Sequence, residues 1–223
     1  YGGAAPNAIF GLVELLAKLK DAKGHINIPG IYDDVAPPTP AAKHSWDTLP
    51  FDEKEFLKNE VGSTQLTGEP SFTVLERVWA RPTLEVHGIV GGFIAAGAKT
   101  VIPAKATAKV SIRLVPNQDP EKVIAAYKKA VKDYTPAGIQ TEVKILAYGP
   151  AISVNPDHPA IHTAAKAFAD VLGRETVFIR SGGSLPIVGD FAKHLGIPPL
   201  LLGFGLPDVG LHSPIEQSQL SNY

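Results

Sequence analysis

Arg113 and Ser184 are polar residues whose neighbours in the sequence favour ligand binding. Arg113 stands between Ile112 and Leu114 in a segment rich in β-branched residues, so a strand there would direct the guanidinium away from its apolar side. Ser184 follows a pair of glycines and precedes a predicted helix start, where a hydroxyl and backbone N–H groups suit an anion or a polarised carbonyl. From the residues of this strand alone, an arginine on an exposed sheet face is the favoured interpretation of Arg113.

The sequence contains seven histidines, and most have an ordinary structural explanation. His87 follows a predicted strand and is expected to be a satisfied turn residue. His158 and His162 are four apart and can share a helix face, but no set of carboxylates accompanies them, so a metal site there is disfavoured. His212 differs because it shares a loop with Asp208 at a predicted carboxyl edge, where open α/β sheets usually bind ligands.

Two motif-based hypotheses gain little support. The string from Gly92 to Thr100 imitates a phosphate-binding loop, but an alanine interrupts the required Gly-Lys pair and Pro103 follows too closely for a helix to start. A serine hydrolase using Ser184, His212 and Asp208 stays open as a hypothesis, although the chain has no Gly-x-Ser-x-Gly elbow. Nucleotide binding is therefore disfavoured, and Ser184 suits a hydrogen-bonding role better than that of a nucleophile.

The composition excludes several classes of protein. The chain has 223 residues, 44% hydrophobic and 19% charged, with a formal net charge of −1. This balance argues against nucleic acid or an acidic membrane as the main partner, and no apolar run of eighteen residues predicts a membrane span. The absence of cysteine excludes disulfides and thiolate metal sites and allows a reducing cytoplasm. With no methionine and a start at Tyr1, the chain is expected to be part of a longer product.

The sequence patterns predict an α/β fold with two domains. In residues 1–150 they predict an amphipathic helix from Pro6 to Gly24, a surface excursion over 25–50 because of its five prolines, and a short polar helix near 52–59. A hairpin follows, with strands at 83–89 and 107–115, then a helix capped by Asp119 and a strand over 139–147. A strand in front would complete the ferredoxin-like order β-α-β-β-α-β.

Residues 151–223 show a different pattern, which predicts a βαβ unit. A helix over 159–172, capped by Asp157 and ended by Gly173, precedes a short strand at 177–180. A second helix begins at Pro186, and an apolar strand is predicted over 199–203. Strands joined in this way are parallel, so the loops carrying Ser184 and His212 should lie at one edge of the sheet.

Several phrases, in order along nearly the whole chain, resemble the M20 family of metallopeptidases, most closely its carnosinase-like dipeptidases. They are Tyr1-Gly2-Gly3, Arg81-Pro82-Thr83-Leu84, His87-Gly88-Ile89, the run from Gly97 to Pro103, the run from Ser111 to Asn117, Gly182-Gly183-Ser184-Leu185-Pro186 and His212-Ser213-Pro214. The resemblance implies that residues 1–150 form an α+β lid or dimerisation domain lacking its first strand. Residues 151–223 would then be the C-terminal part of the zinc-peptidase-like catalytic domain.

The resemblance also implies a chemistry and four site residues. Family members hydrolyse dipeptides or related amides with two divalent metal ions, usually zinc, that activate water and polarise the scissile carbonyl. His212 matches the last metal ligand, Arg113 the residue that holds the substrate's terminal carboxylate, and Ser184 a substrate contact. Thr100 matches a lid residue that reaches the partner subunit's active site. A cytoplasmic homodimer with a small peptide substrate is therefore expected.

This chain departs from the family pattern at two positions and lacks several motifs. Ser181 stands where the family commonly has glutamate, and Ile215 where it commonly has asparagine, which puts local hydrogen bonding in doubt. The other metal ligands and the glutamate base have no counterpart, so the 223 residues alone are expected neither to hydrolyse dipeptides nor to hold zinc tightly. A non-catalytic dimerisation module of a degenerate relative is the competing hypothesis.

Overall fold

The computed structural model describes residues 1–181, 186–197, 199–203, 209–210, 213–218 and 220. These residues form helices and one small antiparallel sheet, which confirms the mixed α/β class. The elements are α1 (Ala8–Leu19), α2 (Pro40–Asp47), α3 (Glu53–Glu55) continued by a π-helix (Phe56–Val61), α4 (Val74–Trp79), β1 (Thr83–Gly91), β2 (Ala106–Arg113), α5 (Pro120–Tyr134), α6 (Pro159–Leu172) and α7 (Pro186–Leu195).

The chain divides into two compact units that interleave along the sequence. The first comprises Tyr1–Thr39, Thr67–Ser153 and Arg180–Asp190 and contains α1, α4, the two strands and α5. The second comprises Pro40–Leu66, Val154–Ile179 and Phe191–Tyr223 and contains α2, α3, the π-helix and α6. The predicted domain boundary between residues 150 and 151 stays a prediction.

The hairpin of β1 and β2 is the only sheet among the described residues. The strands are antiparallel, with Thr83 opposite Arg113 at one end and Gly91 opposite Ala106 at the other. A register shift between Val86 and Gly88 makes a β-bulge, which inserts one extra residue and re-aims its side chain. The predicted hairpin is confirmed, with each strand shifted from its predicted bounds.

One face of this hairpin packs on the hydrophobic core of the first unit. Leu84 is buried in β1, and Val110 and Ile112 of β2 pack against the same cluster. Successive side chains of a strand point to opposite faces. The residues that alternate with these core-facing ones therefore lie on the other face of the hairpin. The buried members of the cluster are Leu19, Ile26, Ile28, Ile31, Leu84, Val123 and Ala130.

The segment after α1 belongs to this core, which corrects the prediction of a surface excursion over residues 25–50. Ile26 and Ile31 are each 1% exposed. Side chains from α5 and from the residues just before it supply hydrogen bonds to the backbone carbonyls in this segment. The Tyr134 hydroxyl donates to the Asn27 carbonyl, and the Gln118 side-chain amide donates to the Ile31 carbonyl. A turn-rich segment can therefore be buried once its polar backbone groups have partners. Residues 40–47 also form a helix, α2.

Capping residues account for the helix starts. Asp119 accepts a hydrogen bond from the Glu121 amide and Pro120 begins α5, as predicted. At α1 the cap is Asn7 rather than a turn around Pro6, and the helix ends at Leu19 rather than near Gly24. At α6 the cap is the His158 ring, which accepts from the Ala160 amide in place of the predicted Asp157.

Three predicted strands are absent from the described residues: 139–147, 177–180 and 199–203 carry no strand pairing. An extended segment becomes a strand only where a second backbone pairs with it, and the alternation of side chains cannot supply that neighbour.

Residues 139–147 keep part of the predicted half-buried pattern, and Ile139 packs on α1. A Cβ added at Gly11 would lie 2.7 Å from Ile139 Cγ1, which explains a glycine in the middle of that helix.

No helix within the described ranges combines the length and apolar character needed to cross a bilayer.

A half-buried ionic cluster lies just before the start of β1. The Arg81 guanidinium donates to Glu69 through Nε (2.7 Å) and Nη2 (2.9 Å) and lies over the rings of Tyr32 and Phe72, 4.3 and 4.4 Å from their centroids. His25 stacks on Tyr32 and contacts the Glu69 carboxylate through Nδ1. Partial burial would raise the pKa of Glu69, but the hydrogen bonds from Arg81 and His25 outweigh it and hold that pKa below its usual value.

This cluster predicts a loss of stability in acid. A carboxyl group whose folded pKa is depressed stabilises the fold above its unfolded pKa of about 4.3, and that contribution disappears as pH falls through the folded value. Glu69→Gln should therefore lower the free energy of unfolding by about 1–3 kcal/mol at pH 7, and the difference from the wild type should shrink below pH 4. Urea unfolding at several pH values measures this.

Glu14→Gln is the matched control, because Glu14 pairs with Lys18 on an exposed helix surface. Surface pairs of this kind contribute little, so its unfolding curve should follow that of the wild type. Equal stability of Glu69→Gln and wild type at pH 7 would contradict the role assigned to the cluster.

Candidate functional site

Arg113 is the last residue of β2 and lies on the hairpin face opposite the core. Its side chain is exposed, whereas its neighbour Ile112 packs on the core cluster. The predicted orientation of the arginine is therefore confirmed. Because a strand and not a flexible loop carries Arg113, the sheet fixes the backbone position from which its side chain extends.

The same face, called the open face below, carries further polar groups. By register and alternation it contains Thr83, Glu85 and His87 from β1 and Ser111 and Arg113 from β2. Glu85 is paired with Lys20, whose ammonium lies 2.8 Å from the carboxylate and also donates to the Leu84 carbonyl. The open face thus places a guanidinium beside the hydrogen-bonding groups of His87 and Ser111, an arrangement suited to a small carboxylate ligand.

His87 and Ser111 form a hydrogen-bonded pair on the open face that the sequence analysis missed. The His87 Nε2 atom lies 2.5 Å from the Ser111 hydroxyl. His87 belongs to β1 at the bulge, so its interpretation as a turn residue is wrong. Strict alternation places His87 on this face but does not identify Ser111 as its partner, because the bulge changes which residues of β2 lie near it.

Thr100 lies at the other end of the hairpin. It is exposed in the loop over residues 92–105, which joins β1 to β2, whereas Arg113 lies where β2 ends. From Ala106 to Arg113 the strand advances seven residues, which corresponds to roughly 23 Å. The loop that carries Thr100 and the residue Arg113 therefore adjoin opposite ends of β2.

The base of this loop is anchored to α1. The Ala8 amide donates to the Pro103 carbonyl, and the Val101 amide donates to the Lys99 carbonyl. Gly92 adopts a φ of +69°, which favours glycine, and a Cβ added there would approach Ile9 to 3.2 Å. The loop is thus tied to the helix on both sides of Thr100, while Thr100 itself stays exposed.

The other predicted site residues, Ser184, His212 and Asp208, lie outside the described residues. Their predicted roles as substrate contact, metal ligand and member of an alternative catalytic triad stay predictions. Ile215 is one of the two positions at which the chain departs from the family pattern, and 83% of its surface is exposed.

The described residues do not form a metal site. No group of three or more His, Asp or Glu residues among them is arranged to hold a metal ion. Of the pair His158 and His162, His158 uses its Nδ1 atom to accept the capping hydrogen bond of α6.

Comparison with known proteins identifies the family. Residues 1–139 match the family model described as the peptidase dimerisation domain of M20 peptidases. The chain belongs to the M20 peptidase dimerisation-domain family. The resemblance drawn from the sequence motifs is thereby confirmed, and the hairpin with α1 and α5 lies within the matched region of this M20 chain.

Individual relatives extend the similarity beyond the matched domain. The M20 chain is 35% identical over 226 residues to the Cys-Gly metallodipeptidase DUG1 of Candida albicans, covering 100% of this chain and 46% of the relative. It is 31% identical over 227 residues to the human Beta-Ala-His dipeptidase, covering 100% of this chain and 44% of the relative. The chain spans about half the length of the curated relatives it matches.

The fold is also shared with solved M20 structures. The dipeptidase Dug1p of Saccharomyces cerevisiae superposes with a TM-score of 0.86 at 34% identity, covering 99% of this chain and 47% of that protein. The fold of this chain, including its two-stranded hairpin, is therefore similar to that of about half of a solved dipeptidase.

Proposed function

We propose that this chain is the lid and the C-terminal catalytic part of a metal-dependent dipeptidase that hydrolyses dipeptides or related amides with a free C-terminal carboxylate. Relatives named as dipeptidases align with the whole chain at 31–35% identity. The observation that carries the proposal is Arg113, a guanidinium that a packed hairpin presents on its open face beside the His87–Ser111 pair.

Arg113 suits the task of binding the substrate's terminal carboxylate. A planar guanidinium presents fixed N–H donors that bind both carboxylate oxygens in parallel, a geometry that a lysine does not reproduce. In this proposal Ser184 contacts the substrate, and His212 is one metal ligand.

Divalent metal ions are part of the proposed enzyme, and zinc is the metal we expect. Bound metal would activate water and polarise the scissile carbonyl. Since the described residues supply no ligand set, no step of the reaction is assigned to them through the metal. What these residues contribute is substrate orientation by Arg113 and, across a dimer, by Thr100. We include a cytoplasmic location in the proposal, with which the absence of cysteine is compatible.

The separation of Thr100 from Arg113 supports a homodimer. If both residues contact one dipeptide, we expect them to come from different subunits, because the Thr100 loop joins β2 at Ala106, roughly 23 Å along the strand from Arg113. A second copy of the chain therefore completes each site. This agrees with the family name, since the matched model is a dimerisation domain.

The hairpin end that carries Thr100 is suited to meeting a second copy. Ile94 is 81% exposed and Val90 62% exposed, and Phe10 of the adjoining helix α1 is 75% exposed. The outer edge of β1 has no pairing strand among the described residues, and strand addition would satisfy its N–H and C=O groups. Apolar area and an open strand edge together favour a self-complementary interface at this end.

Substitution of Arg113 tests the proposed function. In the dipeptidase that contains this chain, Arg113→Ala should lower kcat/KM for a free-acid dipeptide by about thirty-fold or more, because removing one partner of a hydrogen-bonded charge pair costs roughly 2–5 kcal/mol. Arg113→Lys should recover only part of the loss. Steady-state kinetics on the purified variants measures both effects.

A substrate with an amidated C-terminus is the control. The wild type should hydrolyse it poorly, and Arg113→Ala should then have little further effect, because the carboxylate is already gone. Equal losses on both substrates would make the arginine structural and contradict the proposal. Activity that survives a chelator would favour the serine hydrolase, and no activity in the wild type would favour a non-catalytic dimerisation module.

A charge at the hairpin end tests the dimer. Val90→Asp should convert the dimer to a monomer at micromolar concentration, because a buried carboxylate at the interface is costly. Light scattering after gel filtration measures the mass. Val171→Asp on α6 is the matched control, since Val171 is 82% exposed and lies in the other unit, and it should stay dimeric. A dimer in Val90→Asp would remove this surface from the interface.

A further inference from the structure

The His87–Ser111 pair is the one hydrogen-bonded side-chain pair across the described strands to which neither the sequence motifs nor the proposed mechanism assigns a task. It lies on the same open face as Arg113, opposite the core-facing side chains Leu84 and Ile112. Ser111 and Arg113 are two residues apart on β2, so their Cα atoms are separated by about 7 Å along the strand. A ligand held by the guanidinium is therefore within reach of the imidazole.

The bulge explains why His87 leans over β2. Thr83 and Glu85 lie directly opposite Arg113 and Ser111, but the register shifts between Val86 and Gly88, so His87 is the additional residue of β1. Bulges re-aim side chains and are common beside binding sites. The contact between Nε2 and the Ser111 hydroxyl then holds the exposed ring in one orientation, toward the strand that carries Arg113.

The remaining ring nitrogen is the group that can meet a ligand. His87 Nδ1 has no hydrogen-bond partner in the part of the chain that the structure describes. When the Ser111 hydroxyl donates to Nε2, the neutral ring carries its proton on Nδ1 and is a donor there. The nearest acid of the face, Glu85, is occupied by Lys20, so it does not compete for this donor.

We propose that His87, oriented by Ser111, donates a second hydrogen bond to the C-terminal carboxylate of the peptide that Arg113 binds. The inference rests on the proposed dipeptidase function and adds a binding residue and a positioning residue to it. His87 touches the substrate, and Ser111 acts by fixing the ring. The pair thus helps to select substrates that end in a free carboxylate.

Kinetics on four variants of the dipeptidase containing this chain tests the inference. His87→Ala should raise KM for a free-acid dipeptide about ten-fold with kcat changed less than two-fold, since a hydrogen bond to a charged group is lost from binding. His87→Asn keeps an N–H donor at the place of Nδ1 and should recover most of the loss. Ser111→Ala should raise KM less than His87→Ala, and the double variant no more than His87→Ala alone.

Two controls separate this role from a structural one. On the C-terminally amidated dipeptide, His87→Ala should leave KM unchanged. His44→Ala removes another exposed histidine, on α2, and should leave both substrates unaffected. A KM effect of equal size on both substrates, or no recovery in His87→Asn, would overturn the inference.

The outcomes also distinguish this inference from the proposed function. If Arg113→Ala discriminates between free-acid and amidated substrates but His87→Ala does not, the second hydrogen bond is wrong and the arginine clamp stands. If neither variant discriminates between the two substrates, the open face does not bind the carboxylate, and both proposals fall.

Discussion

The packing of the hairpin's apolar face on α1 and α5 is the interaction on which the rest of the first unit depends. Leu84 joins the buried cluster that contains Leu19 of α1 and Ala130 of α5, with 3%, 0% and 1% of their surfaces exposed. Removing such a side chain from a core costs about 2–5 kcal/mol, far more than any surface pair contributes. Because strands alternate, fixing this face also fixes the open face, and the positions of Arg113 and His87 follow from it.

Local signals made part of this structure predictable. The Asp119-Pro120 start of α5 and the outward direction of Arg113 follow from capping and from period-two alternation, which need only neighbouring residues. Contacts between distant segments were not predictable in this way. The turn-rich residues around Ile26 are buried because Tyr134 and Gln118 reach them from far along the chain. The extended residues 139–147 form no strand in the described chain because strand formation needs a pairing neighbour.

The candidate site shows the same division between local and distant information. The resemblance to M20 enzymes drew attention to Arg113 and Thr100, but their separation along the hairpin emerges only from the register of the two strands. The His87–Ser111 contact depends on a bulge, which breaks the alternation that sequence reasoning relies on. The Arg81 cluster, which holds the chain just before β1, joins residues from three separate segments. One packed hairpin thus carries the residues that we propose for substrate binding, with Arg113 at one end and the Thr100 loop at the other.

A mixed dimer tests most directly the claim that the two ends of one hairpin serve two different sites. Thr100→Ala and Arg113→Ala chains of the full dipeptidase, carrying different tags, would be expressed together and the heterodimer purified through both tags. If each site takes Arg113 from one subunit and Thr100 from the other, one site of the heterodimer is intact. It should then show about half the wild-type activity, although both parent homodimers are strongly impaired. A heterodimer no more active than the better parent would contradict the account.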